Sequence, residues 1–365
     1  MRKALNILLV IAVAAGLDAK QVTKTGTTAA TFLKVDTGAR AVGIGSAYVS
    51  VVDDATAMYW NPAGLARIKG NEAVFSHAKW IADIGMSYAG VAVNLGNLGN
   101  VGMGGQFETM DEMERTTILQ PDGTGEMFDA GSYAICLSYA RNLTDRFSFG
   151  MSAKFIHERI YHSTANGAAL DIGVLFDTQL HGMKIGMSIT NYGTKMRIGG
   201  RDVQTQIDPD PTVSGNNENI TAYMKTDAFE LPLLFRIGIS LDVLKGKGNS
   251  NLILAMDAMH PNDNVESLNV GIEYAFNNII FLRAGHSNLG SHKEKKQVIE
   301  QLPDGYFEKI VSESKFGTAE GYEGGLSLGA GLKYALSGVE ISFDYAYRDF
   351  GVLNDIQKFT IGLGF

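Results

Sequence analysis

The chain has 365 residues, 43 of them glycine, with 19% charged residues, one cysteine and a formal net charge of −8. A single cysteine excludes an intrachain disulfide framework. The acidic balance, with no basic stripe interleaved with aromatics, argues against nucleic acid as a partner. At this length a water-soluble chain would divide into about two domains, whereas a barrel with a plug is one.

In chain order, Arg2 and Lys3 precede an apolar run from Leu5 to Gly16, broken only by Asn6. That run is too short to cross a bilayer as a helix and small residues follow it. Residues 1–19 therefore read as a secretory signal peptide, cut after Gly16 or Ala19. No later stretch reaches the ~18 continuous apolar residues of a transmembrane helix, so any membrane insertion is by strands.

Residues 20–69 do not alternate. Thr, Ala and Gly dominate them, from Thr23 to Ala30, Gly38 to Tyr48 and Val51 to Ala66. Such small residues allow the close backbone packing that a barrel lumen demands. Asp53 or Asp54 is placed to N-cap a short helix from Ala55 to Tyr59. Asn61-Pro62 would end it, because the residue before proline is pushed out of the helical region. Gly38, Gly43 and Gly45 lack the spacing of a dinucleotide or phosphate loop, and no Lys-Ser/Thr follows; no cofactor is expected. Met58, Tyr59, Trp60 and Leu65 read first as core packing and second as the lining of an apolar pocket.

From residue 70 onward the chain alternates with the period of two expected of strands. Fourteen segments result: 70–80, 85–95, 99–109, 131–141, 146–157, 168–179, 182–191, 231–243, 250–260, 266–276, 279–287, 324–335, 339–349 and 356–365. The even count is that of single-chain bacterial barrels. In the thirteenth, Val339, Ile341, Phe343, Tyr345 and Tyr347 oppose Glu340, Ser342, Asp344, Ala346 and Arg348. In the last, Phe359, Ile361, Leu363 and Phe365 oppose Lys358, Thr360, Gly362 and Gly364. About ten residues suffice for a tilted strand to cross a bilayer, and a terminal Phe365 on the apolar face suits a C-terminal assembly signal. Cys136 lies mid-strand and reads as a packing residue.

Connections after even-numbered segments are short, such as Asn142 to Asp145, Leu180-His181, Asn277-Asn278 and Leu336 to Gly338. Those after odd-numbered segments include the long stretches 110–130, 192–230 and 288–323. Short turns on one side and long loops on the other are the asymmetry of an outer-membrane barrel. The expected fold class is therefore all-β: a fourteen-stranded antiparallel transmembrane barrel over residues 70–365, with residues 20–69 as a lumenal hatch. Outer-membrane lipid would surround it, and both termini would lie in the periplasm. Trp80, Tyr88, Tyr139, Tyr161, Tyr334, Tyr345 and Tyr347 fall near strand ends and suit interfacial girdles, or equally the ordinary preference of Tyr and Trp for strands.

Arg236, Asp242, Asp257, Glu273, Arg283, Glu340, Asp344 and Arg348 fall on the faces opposite the apolar ones. Arg or Lys facing lipid at midplane costs ~2–4 kcal/mol, so these charges are expected to line the lumen, in networks that hold the hatch through Arg40, Asp53 and Asp54. Asp257, His260, Asp263 and Glu266 include metal-ligating residue types, but their spacing matches no standard site. They read as a lumenal Asp257 followed by a turn, and no metal is expected. With no G-x-S-x-G, H-E-x-x-H or nucleophilic cysteine context, no catalytic constellation stands out and an enzyme is not expected. Loop 192–230 is polar and turn-rich, with Asp208-Pro-Asp-Pro211 and Ser214 to Asn219. Loop 288–323 carries His292 to Lys296 and Tyr306-Phe307.

The string Gly38-Ala-Arg40, Gly45-Ser-Ala, Asp53-Asp54-Ala and Tyr59-Trp60-Asn61-Pro62-Ala63-Gly64-Leu65 resembles the N-terminal region of the PorV/PorQ family, itself related to FadL-type transporters that share the Asn-Pro-Ala motif. Leu231 to Ser240, His260 to Tyr274 and Asp344 to Gly351 extend the resemblance over most of the chain. It implies a FadL-like fourteen-stranded barrel with a hatch, working in type IX secretion or surface assembly. Its partners would be a large translocon barrel or surface and secreted proteins, docked through the extracellular loops. The other function it implies is FadL-like passage of hydrophobic small molecules.

Overall fold

The computed structural model describes residues 26–180, 182–210, 212, 219–244, 249–289, 325–351 and 355–365. The expected signal peptide (1–19), residues 20–25, Pro211, Ser214 to Glu218, His292 to Lys296 and Tyr306-Phe307 lie outside the described residues.

Fourteen strands build the wall: β1 (Glu72–Lys79), β2 (Gly85–Asn94), β3 (Asn100–Thr109), β4 (Ala130–Thr144), β5 (Phe147–Ile160), β6 (Ser163–Asp177), β7 (Met183–Gly193), β8 (Leu234–Asp242), β9 (Ser250–Pro261), β10 (Ser267–Phe276), β11 (Ile280–Leu289), β12 (Leu326–Leu336), β13 (Val339–Arg348) and β14 (Ile356–Gly364). Each pairs antiparallel with its neighbours in sequence. β14 returns to β1, with Glu72 opposite Gly364 and Lys79 opposite Gln357, and closes the sheet. Closure satisfies every ladder within the wall, which strands in lipid require. The molecule is thus an all-β, fourteen-stranded antiparallel transmembrane barrel.

The period-two pattern sets which face meets lipid. In β14, Phe359, Ile361 and Leu363 stand exposed on the outside, whereas Lys358 and Thr360 are buried inside. Phe75, Met103, Phe155, Leu170, Leu282, Leu328 and Phe343 continue the outer apolar face around the barrel. In water such a surface would be a large sticky patch; facing acyl chains it is the ordinary wall of a barrel.

β6 starts at Ser163, five residues ahead of the expected 168, because β5 and β6 are joined by a tight turn at Tyr161-His162, with Tyr161 at φ 55°. Ser163 to Gly167 is small and polar and shows no apolar alternation, so the pattern is silent where the strand continues. Loop 194–233 also carries two short pairings that runs of two to four residues cannot signal: Met196–Arg197 with Ala228–Phe229, and Gln204–Ile207 with Ile220–Tyr223.

The core of the protein is what fills the barrel. Residues 27–69 run through the lumen as irregular chain with short helical pieces: a 3-10 turn at Thr31–Lys34, α1 (Ala39–Gly43), α2 (Ala57–Trp60) and a 3-10 turn at Pro62–Arg67. Ile44, Tyr48, Val49, Met58, Trp60 and Leu65 are completely buried there. At roughly 1.5–3 kcal/mol for each large apolar side chain taken out of water, this cluster is a substantial anchor. α2 begins at Ala57 rather than Ala55. Its N-cap, Thr56, makes no side-chain cap; instead the Asp54 carboxylate accepts from the Thr56 amide at 2.8 Å, a local turn that delays the helix. α2 ends at Trp60, where Asn61 is extended (φ −161°, ψ 103°).

The segment connects the two ends of the barrel. Asn71 pairs with Phe365 at the short-turn end. Thr28 and Ala29 lie at the long-loop end, against Glu230 and Asp263. The described chain thus enters the lumen at the end opposite Phe365.

Candidate functional site: the hatch in its lumen

An irregular chain at membrane depth leaves amides and carbonyls unpaired unless the surrounding protein supplies partners. The wall does so. Tyr88 Oη donates to Ala55 O (3.0 Å), Gln106 Nε2 to Phe32 O and Val35 O (2.9 Å each), Ser188 Oγ to Trp60 O (3.0 Å) and Asn269 Nδ2 to Ser46 O (3.1 Å). In the other direction, Asp257 Oδ2 accepts from the amides of Tyr48 (2.7 Å) and Val49 (2.9 Å), and Thr360 Oγ1 from that of Ala39 (2.8 Å). Tyr88 therefore belongs to the lumen, not to an interfacial girdle. Its inward position on β2 has the even parity of Met86 and Ala92, which are also buried.

Asn61-Pro62-Ala63 forms the tightest seat. The fully buried Asn61 donates from Nδ2 to Val49 O (2.9 Å) within the hatch and to Val174 O (3.0 Å) in β6. Its Oδ1 accepts from the Ala63 amide (3.2 Å), capping the 3-10 turn that Pro62 opens. One side chain thus ties two hatch segments to the wall. Trp60 Nε1 donates to Thr37 O (2.8 Å) and Tyr59 Oη to Leu33 O (3.2 Å). Gly64 packs on Val52, where a Cβ would come within 2.8 Å of Cγ1. Gly38, at φ 85°, supplies the left-handed residue that opens α1.

The glycines of the wall follow the hatch. A Cβ at Gly173 would run into Asn61 Oδ1 and lie 2.9 Å from Pro62 Cδ. One at Gly150 would overlap Ala63, one at Gly186 Val49, and one at Gly271 or Gly285 the Ile44–Gly45 backbone. Five strands drop their side chain where the hatch backbone passes, which explains part of the high glycine count.

Charges complete the fit. Arg40 binds Glu273 through Nε (2.9 Å) and Asp53 through Nη1 (2.6 Å), with Asp54 at 3.8 Å. Arg283 lies between Glu273 (Nε, 2.6 Å) and Asp344 (Nη1, 2.6 Å). A second group joins Arg348 to Asp36 (2.7 Å) and to Ser46, with Lys358 donating to the Asp36 carbonyl. The Arg236 guanidinium stacks 5.1 Å from the Trp60 ring and 5.7 Å from Tyr59. Asp242 and Glu340 sit at the short-turn rim; Glu340 is exposed and pairs with Lys333 (2.5 Å). Phe365 pairs with Asn71 through its backbone and leaves its ring exposed.

Asp257, His260, Asp263 and Glu266 do not converge. His260 pairs with Glu266 (3.0 Å), Asp263 takes Lys34 (2.7 Å) and Thr28 (2.8 Å), and Asp257 holds the hatch amides. Sequence reading missed Asp36, which lies in irregular chain with no periodicity to mark it. It also missed the buried Lys154–Asp171 pair (2.6 Å) joined by Asn191. The signal for that pair was present: both fall on the polar parity of β5 and β6. A cavity of about 10 Å³, the room of about one water, lies between Asp36, Tyr88, Gln106 and Lys358.

Residues 6–222, more than half the chain, match the model of Uncharacterised protein family UPF0164. The chain belongs to that family. Among solved structures, the UPF0164 chain resembles the toluene transporter TodX of Pseudomonas putida (TM-score 0.52, 11% identity, 90% of this chain and 96% of that one). It also resembles a FadL homologue of Pseudomonas aeruginosa (0.51, 10%, 90% and 97%) and the CymD monoaromatic hydrocarbon channel (0.50, 12%, 89% and 96%). At such identities the likeness is one of fold, and the fold of this UPF0164 member is FadL-like. No curated protein matches its sequence.

Proposed function

We propose that this protein is a non-enzymatic outer-membrane barrel that docks other proteins, and that its lumen is a sealed support rather than a passage. The observation that carries this reading is the fit of the hatch. Wall glycines, wall side chains and the Arg40–Glu273–Arg283–Asp344 network are all engaged with it or with one another. Met58, Trp60 and Leu65 are fully buried and pack as core. A barrel whose interior is so committed acts through its loops. The resemblance of Tyr59 to Leu65 and of later segments to the PorV/PorQ family supports a finer version: docking of a translocon barrel or of surface proteins in type IX secretion.

A second reading, passage of hydrophobic small molecules, is favoured by the fold shared with a toluene transporter and a hydrocarbon channel. It requires the hatch to move. A mild-detergent pull-down from outer membranes, with mass spectrometry of proteins and extracted lipids, separates the two. A near-stoichiometric protein partner is the expected result. A lone barrel carrying an apolar small molecule would overturn docking in favour of transport.

A further inference from the structure

The connection between β3 and β4 is an ordered hairpin with an unusual tip. Met113 and Glu114 pair with Phe128 and Met127. Arg115 N donates to Glu126 O (2.8 Å) and Thr124 N to Arg115 O (2.9 Å), and Thr117 and Gln120 exchange amide bonds at 3.1 Å. Turn tips ordinarily take Gly, Asn, Asp or Pro. Here Ile118 and Leu119 occupy the tip at 101% and 93% exposure.

The arm beneath is braced. Asp129 is gripped by the Arg159 guanidinium, with Nη1 to Oδ1 at 2.7 Å and Nη2 on Oδ2. That pairing holds the Asp129 carboxyl below its usual range. The Phe128 and Tyr161 rings meet edge to face at 5.9 Å, and Tyr161 N donates to Asp129 O (3.0 Å). The turn between β5 and β6 thus props the base of the hairpin. A preorganised element loses less freedom on binding than a mobile loop.

Position and charge select the occupant. From Thr109 to Thr117 the chain can span up to about 25 Å past the end of β3, at about 3.3 Å per residue. At a strand tilt of ~40°, that reach is enough to carry the tip clear of the bilayer. Residues 110–129 hold Asp111, Glu112, Glu114, Asp122, Glu126 and Asp129 against Arg115 alone. We propose that this hairpin is a docking finger that seats Ile118 and Leu119 in an apolar pocket of a partner protein whose rim is rich in Lys and Arg. The inference rests on the docking reading above and names the element that performs it.

The test labels Leu119→Cys with a benzophenone maleimide on intact cells and illuminates them; the native Cys136 is buried and faces the lumen. The expected product is one protein adduct whose cross-linked peptide is apolar with flanking Lys or Arg. Its yield falls at least fivefold when Ile118→Asp, or the pair Glu112→Lys and Asp122→Lys, is added, with barrel heat-modifiability unchanged. Adducts only with lipid, with a second copy of this chain, or with peptides lacking basic flanks would overturn the proposal, as would an adduct indifferent to charge reversal or no adduct. If the finger fails while a partner still co-purifies, docking stands and uses another surface. If nothing co-purifies, the docking reading itself falls.

Discussion

Replacing Asn61 with alanine should loosen the hatch and leave the wall in place. Asn61→Ala removes a donor from Val49 O and Val174 O and an acceptor from the Ala63 amide. Losing an N-cap costs typically ~1 kcal/mol, and each buried polar group left unsatisfied about 1–3 kcal/mol. Partial relaxation, and water entering the space vacated by the amide, bring the expected total to about 3 kcal/mol, which is on the order of 100-fold in an opening equilibrium. Because the backbone ladders of the wall close on themselves without the hatch, the loss should appear as local opening. Amide hydrogen exchange in detergent micelles should accelerate about 100-fold at Ala57 to Leu65. The ladders of β10 to β14 should exchange as in the wild type. Acceleration below about threefold at the hatch would refute the claim that Asn61 pins it. Equal acceleration in hatch and wall would refute the claim that the two open separately.

Three further outcomes follow from the same geometry. Gly173→Val forces side-chain atoms into Asn61 and Pro62 and should destabilise the hatch by about 1–3 kcal/mol, whereas Gly199→Ala, with open space around it, should match wild type in the same exchange experiment. Arg283→Met strips a buried cation from Glu273 and Asp344, at a cost of roughly 3–5 kcal/mol; adding Asp344→Asn should recover part of that loss, read as a partial return of the thermal midpoint in micelles. With the long loops facing outward, Thr27→Cys, at the end of the barrel opposite Phe365, should react with a membrane-impermeant maleimide added to whole cells; labelling only after the outer membrane is opened would contradict the path of the hatch.

The wall was legible because lipid enforces a rule on every strand. An outward charge is costly, so the alternation of Phe359, Ile361 and Leu363 against Lys358 and Thr360 has no freedom to blur. Where strands leave the bilayer the rule lapses: Ser163 to Gly167 pairs with β5, yet nothing in its composition says so. The hatch was legible as a non-alternating, small-residue segment with an Asn-Pro stop, but its route was not. Whether Asp36 meets Arg348, or Asn61 meets β6, is decided by contacts between residues more than a hundred positions apart, which no local pattern carries. Tyr88 illustrates the same gap. An aromatic at a strand end satisfies both a girdle and a hydrogen bond to Ala55 O, and only the parity of β2 decides between them.

A polar inner face on a transmembrane barrel is commonly what a water-filled channel requires. Here the same chemistry answers a different demand. The lumen holds an irregular polypeptide, whose unpaired amides and carbonyls need donors and acceptors at fixed positions. Asp257 serves two consecutive amides, and Gln106 two carbonyls of one turn. Ions or solutes in transit need groups that bind briefly and release, whereas Asp257 Oδ2 and Gln106 Nε2 are each held by two backbone groups of the hatch. The wall glycines strengthen the point, because they replace side chains that a pore would use for selectivity with bare backbone shaped to the hatch. On the docking reading proposed above, the long-loop face is the part of the molecule left to meet partners. It is there that a braced arm leaves Ile118 and Leu119 exposed.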